Sequence, residues 1–256
     1  NRRLMALSGL GLFLLEACAG TAILLLFFPP AVLGRGFFTL HGSLVVIFAG
    51  LALLVRPAGL PVPVLASGTV LLALYTLAAH GGQAARARPL LAAAAGCAAW
   101  ALGRVALVAP REAGDAWTVV GALAGGLFFG AVLVIMNLGH WYLVSRSIPF
   151  ELLARGAAVF AGLAVFRTVY LGVAMAVQRH SEGVQTLMSL ERDALFFLFR
   201  VLWGIAGPLA LSYFIWRTAE LKSNQAATGL LYVALIFVLI GELLSSYLTV
   251  ATGFPA

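Results

Sequence analysis

Two histidines, His41 and His140, lie inside long apolar stretches of a chain that carries only four histidines in 256 residues. Ionisable side chains are rare inside hydrophobic segments of membrane proteins, because desolvating them is costly, and they mark functional sites by default. Each of the two is expected about four residues, roughly 6 Å, from a segment end, and both at the same face. Two neutral imidazoles at one depth can ligate a haem b iron from opposite sides. His41 is followed by Gly42 and His140 is preceded by Gly139, so local bulk is low. Arg35 and Arg146, at the same edge, carry the charge that haem propionates need.

The same residues also suit a quinone. A quinone headgroup takes a hydrogen bond on each carbonyl and packs between apolar walls. Asn137, His140 and Tyr142 supply donors and a ring within six residues. Asn137 and His140 are three apart and share a helix face. A bland alternative stands beside both readings. Histidines near helix ends reach water or cap carbonyls, and Trp141 with Tyr142 fits the aromatic belt at a membrane interface.

A second set is charged. Glu16, Arg167, Arg200 and Glu242 fall within apolar segments, as does Arg104. A charge at the centre of a membrane helix costs about 2.5–3.5 kcal/mol on insertion scales, so these residues are expected to face the interior and pair. Glu242 is the expected partner of Arg200 or Arg167, and Glu16 can carry a proton. The set is either an interhelical ion network that fixes packing or a substrate and proton path.

The elements that must hold these groups are plain. A membrane span needs about 20 apolar residues, and eight segments qualify: Leu4–Phe28, Phe37–Val55, Leu60–His80, Pro89–Ala109, Trp117–Val144, Phe150–Val177, Ala194–Arg217 and Ala226–Val250. Pro29-Pro30, Arg56-Pro57, Gly81-Gly82, Pro110-Arg111 and Ile148-Pro149 separate them as breakers. The longest polar connection is 178–193. An even number of spans places both termini on one side, here called the terminal side. Basic residues near segment ends divide six against six, so the positive-inside rule does not set the orientation. Gly207-Pro208 predicts a kink in the seventh segment. Gly121, Gly125, Gly126 and Gly130 predict close helix packing within the chain.

Composition excludes a soluble globule. The chain is 62% hydrophobic and 10% charged, against about 25% charged residues in ordinary soluble domains; mean hydropathy is +1.05. The fold class expected is all-α, a polytopic eight-helix transmembrane bundle forming one domain over 1–256. The net charge of +7 comes from fifteen Arg and one Lys against nine acids, scattered in short loops. That points to anionic lipid headgroups, not nucleic acid. Cys18 and Cys97 stand alone and form no haem-attachment motif. No P-loop, nucleophile-elbow or metal-binding spacing is present. The Arg, Ala and Gly bias favours a prokaryotic inner membrane.

The two-histidine pattern resembles membrane cytochrome b subunits at the level of architecture, through His41 and His140 alone. The expected function is an integral membrane subunit of a respiratory-type redox complex. It would bind haem b, a quinone or both, and pass electrons between the quinone pool and partner subunits. The alternatives are a small-solute or proton-coupled transporter working through Arg167, Arg200, Glu242 and Glu16, and a haem-free structural anchor subunit.

Overall fold

The computed structural model describes residues 2–108, 115–144, 148–149, 151–189 and 192–255. Every regular element in them is helical. In chain order these are α1 (Arg2–Leu25), α2 (Pro30–Val55), α3 (Val62–His80), α4 (Arg88–Val108), α5 (Asp115–Val144) and α6 (Glu151–Val177). A short α7 (Glu182–Met188) follows. Then come α8 (Arg192–Val201), a π turn (Leu202–Ala206), α9 (Gly207–Glu220) and α10 (Asn224–Thr252). Eight helical stretches are long and apolar enough to cross a membrane, with α8, the π turn and α9 forming the seventh.

Local chemistry sets the breaks. Pro30 opens α2 and Pro63 lies in the first turn of α3, where a missing N–H costs no helical bond. Arg56 ends α2 in the left-handed region at φ 50°, its N–H returning to the Ala52 carbonyl. Gly253 ends α10 in the same way at φ 74°. Ser181 caps α7, its side chain accepting from the Val184 N–H. This places about two helical turns within the connection that reads as polar in sequence.

Two boundaries depart from expectation. Helix α2 begins at Pro30, seven residues before Phe37, and contains a non-helical Gly34 at φ 72°. Glycine takes that conformation without penalty, so the helix is bent and still continuous in space. His41 is therefore eleven residues from the helix start and not four. The expected kink at Gly207-Pro208 is a π turn over Leu202–Ala206. Pro208 has no N–H to give the Gly204 carbonyl, and widening the preceding turn to i→i+5 bonding absorbs the defect.

Helices α1 and α5 form the centre. In each, 78% of an 18-residue apolar stretch is buried, against 28–44% in the other six. They meet through small residues. A Cβ on Gly20 would stand 1.7 Å from the Gly126 carbonyl oxygen, and one on Gly130 would stand 2.5 Å from the Gly20 carbonyl carbon. The glycines of α5 thus make contacts within the chain, with backbones touching. Phe13 packs edge-on against Phe129 across this seam, and Phe128 stacks on Phe160 of α6. Helices α2, α3 and α4 pack on one flank of the central pair, and α6 with α8–α10 on the other.

If the eight stretches cross a bilayer, cysteines replacing Leu4 and Thr252 should react with an impermeant reagent from one side of a sealed vesicle. A cysteine replacing the exposed Ala85, between α3 and α4, should react from the other. Opposite labelling of the Leu4 and Thr252 sites would disprove an even number of crossings.

Candidate functional site

Four charged side chains meet in the interior where α1, α5, α6, α8 and α10 converge. Glu16 is 3% exposed, Arg167 1%, and Arg200 and Glu242 are fully buried. Glu242 of α10 is the hub. Its Oε2 accepts from Arg167 Nη2 at 2.7 Å, and its Oε1 lies 3.2 Å from Arg200 Nη2. Arg167 also donates to Ser245 Oγ at 3.2 Å and to the Gly121 carbonyl at 3.3 Å. Glu16 Oε2 accepts from Ser246 Oγ at 3.0 Å. Two carboxylates and two guanidiniums make the set neutral when all are ionised.

Glycines make room for it. A Cβ on Gly125 would stand 2.6 Å from Glu242 Oε2 and 3.5 Å from Glu16 Oε2. The two carboxyl groups therefore share the space above one glycine. Gly204, in the π turn, and Gly241, beside Glu242, press against each other and against Arg200. A Cβ on Gly204 would lie 2.3 Å from Arg200 Nη1. Arg200 Nε and Nη1 have no hydrogen-bond partner among the described residues, although a buried guanidinium normally places most of its five donors. A void of about 10 Å³ adjoins Glu16, lined by Thr118, Ser245, Thr249 and Pro255 among others. It lies toward the terminal side, where α5 begins and α10 ends, and is near the size that holds one water.

The histidine region is different. His41 is fully buried. Its Nδ1 lies 2.8 Å from the Phe37 carbonyl oxygen, and its Nε2 lies 3.2 Å from Asn137 Nδ2. Donation from Nδ1–H to the carbonyl leaves Nε2 to accept from the asparagine amide, which assigns one neutral tautomer. The Phe37 ring lies 4.3 Å from the imidazole, centroid to centroid. His140 is exposed, and its Nδ1 lies 3.3 Å from the Tyr232 hydroxyl on α10. The structure thus joins His41 to Asn137 and His140 to Tyr232. The lone pair that an iron would take on His41 is the one that Asn137 occupies, so haem ligation there requires the asparagine to withdraw.

The remaining candidates are dispersed. Tyr142 donates its hydroxyl to the Pro149 carbonyl and ties α5 to the start of α6. Arg35 is exposed and lines a shallow cavity of about 170 Å³ with Gly82, Ala84 and Ala85. Arg146 lies outside the described residues. Arg104, expected to face the interior, is exposed. It sits four residues from the end of α4. Among the described residues, no group of three or more His, Cys, Asp or Glu side chains is disposed to hold a metal ion.

Sequence had shown the four interior charges but not what surrounds them. Ser245 and Ser246 stand out in sequence as hydroxyls of the last span, but their pairing with the charges, and the part played by the glycines at 125, 204 and 241, came only through helix packing. Their signal in sequence, small residues beside a buried charge, is shared with ordinary helix contacts. No family model, curated protein or solved structure matches this chain.

Proposed function

We propose that the chain is a polytopic integral membrane protein, placed in a prokaryotic inner membrane, and that it works as a proton-coupled transporter of a small solute. The observation that carries this reading is the buried network of Glu16, Arg167, Glu242 and Arg200 packed against the π turn of the seventh span. Interior charges are costly in a membrane. A packing role alone is served by fully paired groups, yet Nε and Nη1 of Arg200, which carry three of its five N–H donors, lack hydrogen bonds among the described residues.

The roles follow from placement. Glu242 holds both arginines and fixes the centre. Glu16, bonded through one oxygen to Ser246, is the carboxyl best placed to take and release a proton, through the polar void at its side. Protonating it changes the network from neutral to singly positive, which alters the attraction between α1 and the helices that carry the arginines. The interrupted seventh span, with α8 and α9 joined by a π turn, is the element able to move. Discontinuous helices form the charged sites of many transporters, and a π turn is a milder interruption often found at functional sites.

Glu16→Gln keeps the shape of the side chain and removes its proton chemistry. In proteoliposomes with an imposed potential, proton uptake by the Gln variant should fall at least about tenfold, as expected when a positioned acid–base group is lost. Unchanged uptake in a folded variant would exclude this role.

A second reading, a quinone- or haem-binding subunit of a redox complex with partner subunits, is favoured by the buried His41–Asn137 pair. A backbone carbonyl on Nδ1 is the usual orienting contact for a ligating histidine. A reducible Soret band in the purified protein, lost in His41→Ala, would favour that reading over transport.

A further inference from the structure

A large cavity lies away from the charged network. It has a volume of about 580 Å³ and opens to the outside between the end of α1, α5 and α6. Its walls include Leu24, Phe28, Leu127, Val159 and Leu163, and one charged residue, Arg155, borders it. Phe27 and Val159, 77% and 48% exposed, form its outer rim.

The geometry points to a binding site for one anionic phospholipid, with its phosphate on Arg155 and an acyl chain in the groove. Arg155 is four residues into α6, about 6 Å from the helix start. Side chains on a helix lean toward its N-terminus, and a long arginine stem carries the guanidinium further that way. This puts its charge at the depth of a headgroup. The cation is exposed. Glu151 stands one turn earlier, yet no ion pair joins it or any other described acid to Arg155. From Leu152 to Leu163 the groove runs along twelve residues of α6, about 16 Å. That is half of the ~30 Å hydrocarbon thickness, the length available to one leaflet's acyl chain. Apart from Arg155, all the described lining side chains are apolar, so a ligand with several polar groups along its length is poorly matched.

The inference rests on the bilayer placement proposed above and not on the proton path. The labelling experiment at Leu4, Ala85 and Thr252 decides that placement separately. The site itself is tested by native mass spectrometry of the full chain released from detergent. The protein is equilibrated with equal amounts of phosphatidylglycerol and phosphatidylcholine carrying identical acyl chains. One phosphatidylglycerol should be retained with about a fivefold preference, the effect of one basic residue near an anionic surface. Arg155→Gln should bring the preference to about one. Val159→Trp, which fills the groove from its exposed rim, should remove the retained lipid without changing the thermal midpoint by more than a few degrees. A preference unchanged in Arg155→Gln, or a lipid still held by Val159→Trp, would overturn the site. So would displacement of the lipid by an isoprenoid quinone with no loss of affinity in Arg155→Gln.

Discussion

Glu242→Gln should be among the most destabilising single substitutions in this protein, with a loss of about 3–5 kcal/mol in detergent. The carboxylate is fully buried and holds Arg167 at 2.7 Å and Arg200 at 3.2 Å. Glutamine keeps the volume and removes the charge, leaving two buried guanidiniums facing Glu16 alone. Adding Arg200→Gln restores a neutral set, Arg167 with Glu16, so the double variant should recover part of the loss. Breaking one partner of a buried pair costs more than removing both, because the remaining charge has no compensation in a dry interior. Thermal unfolding of the two variants side by side checks this. A double variant no more stable than Glu242→Gln would mean that Arg200 does not draw its compensation from Glu242.

Gly20→Ala should be comparably damaging for a purely steric reason. Its new Cβ would stand 1.7 Å from the Gly126 carbonyl oxygen, where ordinary contacts need more than 3 Å. The obstacle is backbone of the central helix pair and not a side chain that can rotate away. Overpacking in a well-filled core costs about 1–3 kcal/mol where side chains can shift; with backbone on both sides the loss should reach or exceed the top of that range. Gly50→Ala is the matched control. A Cβ there meets nothing within 4 Å, and its effect should stay within about 0.5 kcal/mol. The contrast can be read from thermal midpoints and from the yield of monodisperse protein. Equal behaviour of the two variants would show that α1 and α5 are not held at this distance.

These two expectations come from different levels of information. The interior position of Glu16, Arg167, Arg200 and Glu242 was legible in sequence, because a charge within twenty apolar residues has few places to go. So was the seam of α5, whose repeated glycines announce a close approach. The surroundings of Arg200 were not legible. Nothing in the local sequence says that Gly204 of a π turn will press on Gly241 of another helix, or that this contact will frame a guanidinium. His41 shows the limit most clearly. Its type and apolar context drew attention, and its expected depth rested on a helix start at Phe37. Pro30 starts the helix earlier and Gly34 bends it. His41 then meets Asn137, while His140 turns outward to Tyr232.

The sequence by itself determined the number and approximate limits of the long apolar helices. Hydrophobic run length and Pro or Gly breakers are local properties, and backbone hydrogen bonds in apolar surroundings leave the helix as the only open choice for such runs. It also determined that several charges would lie inside. The tertiary structure alone decided which residues are neighbours: that α1 and α5 are central, that Glu242 serves two arginines, and that Arg155, with no ion-pair partner among the described residues, borders an apolar groove. Those outcomes depend on the rotation of each helix about its axis and on its partners. Both are set by complementary packing between segments far apart in the chain, and no single segment encodes them.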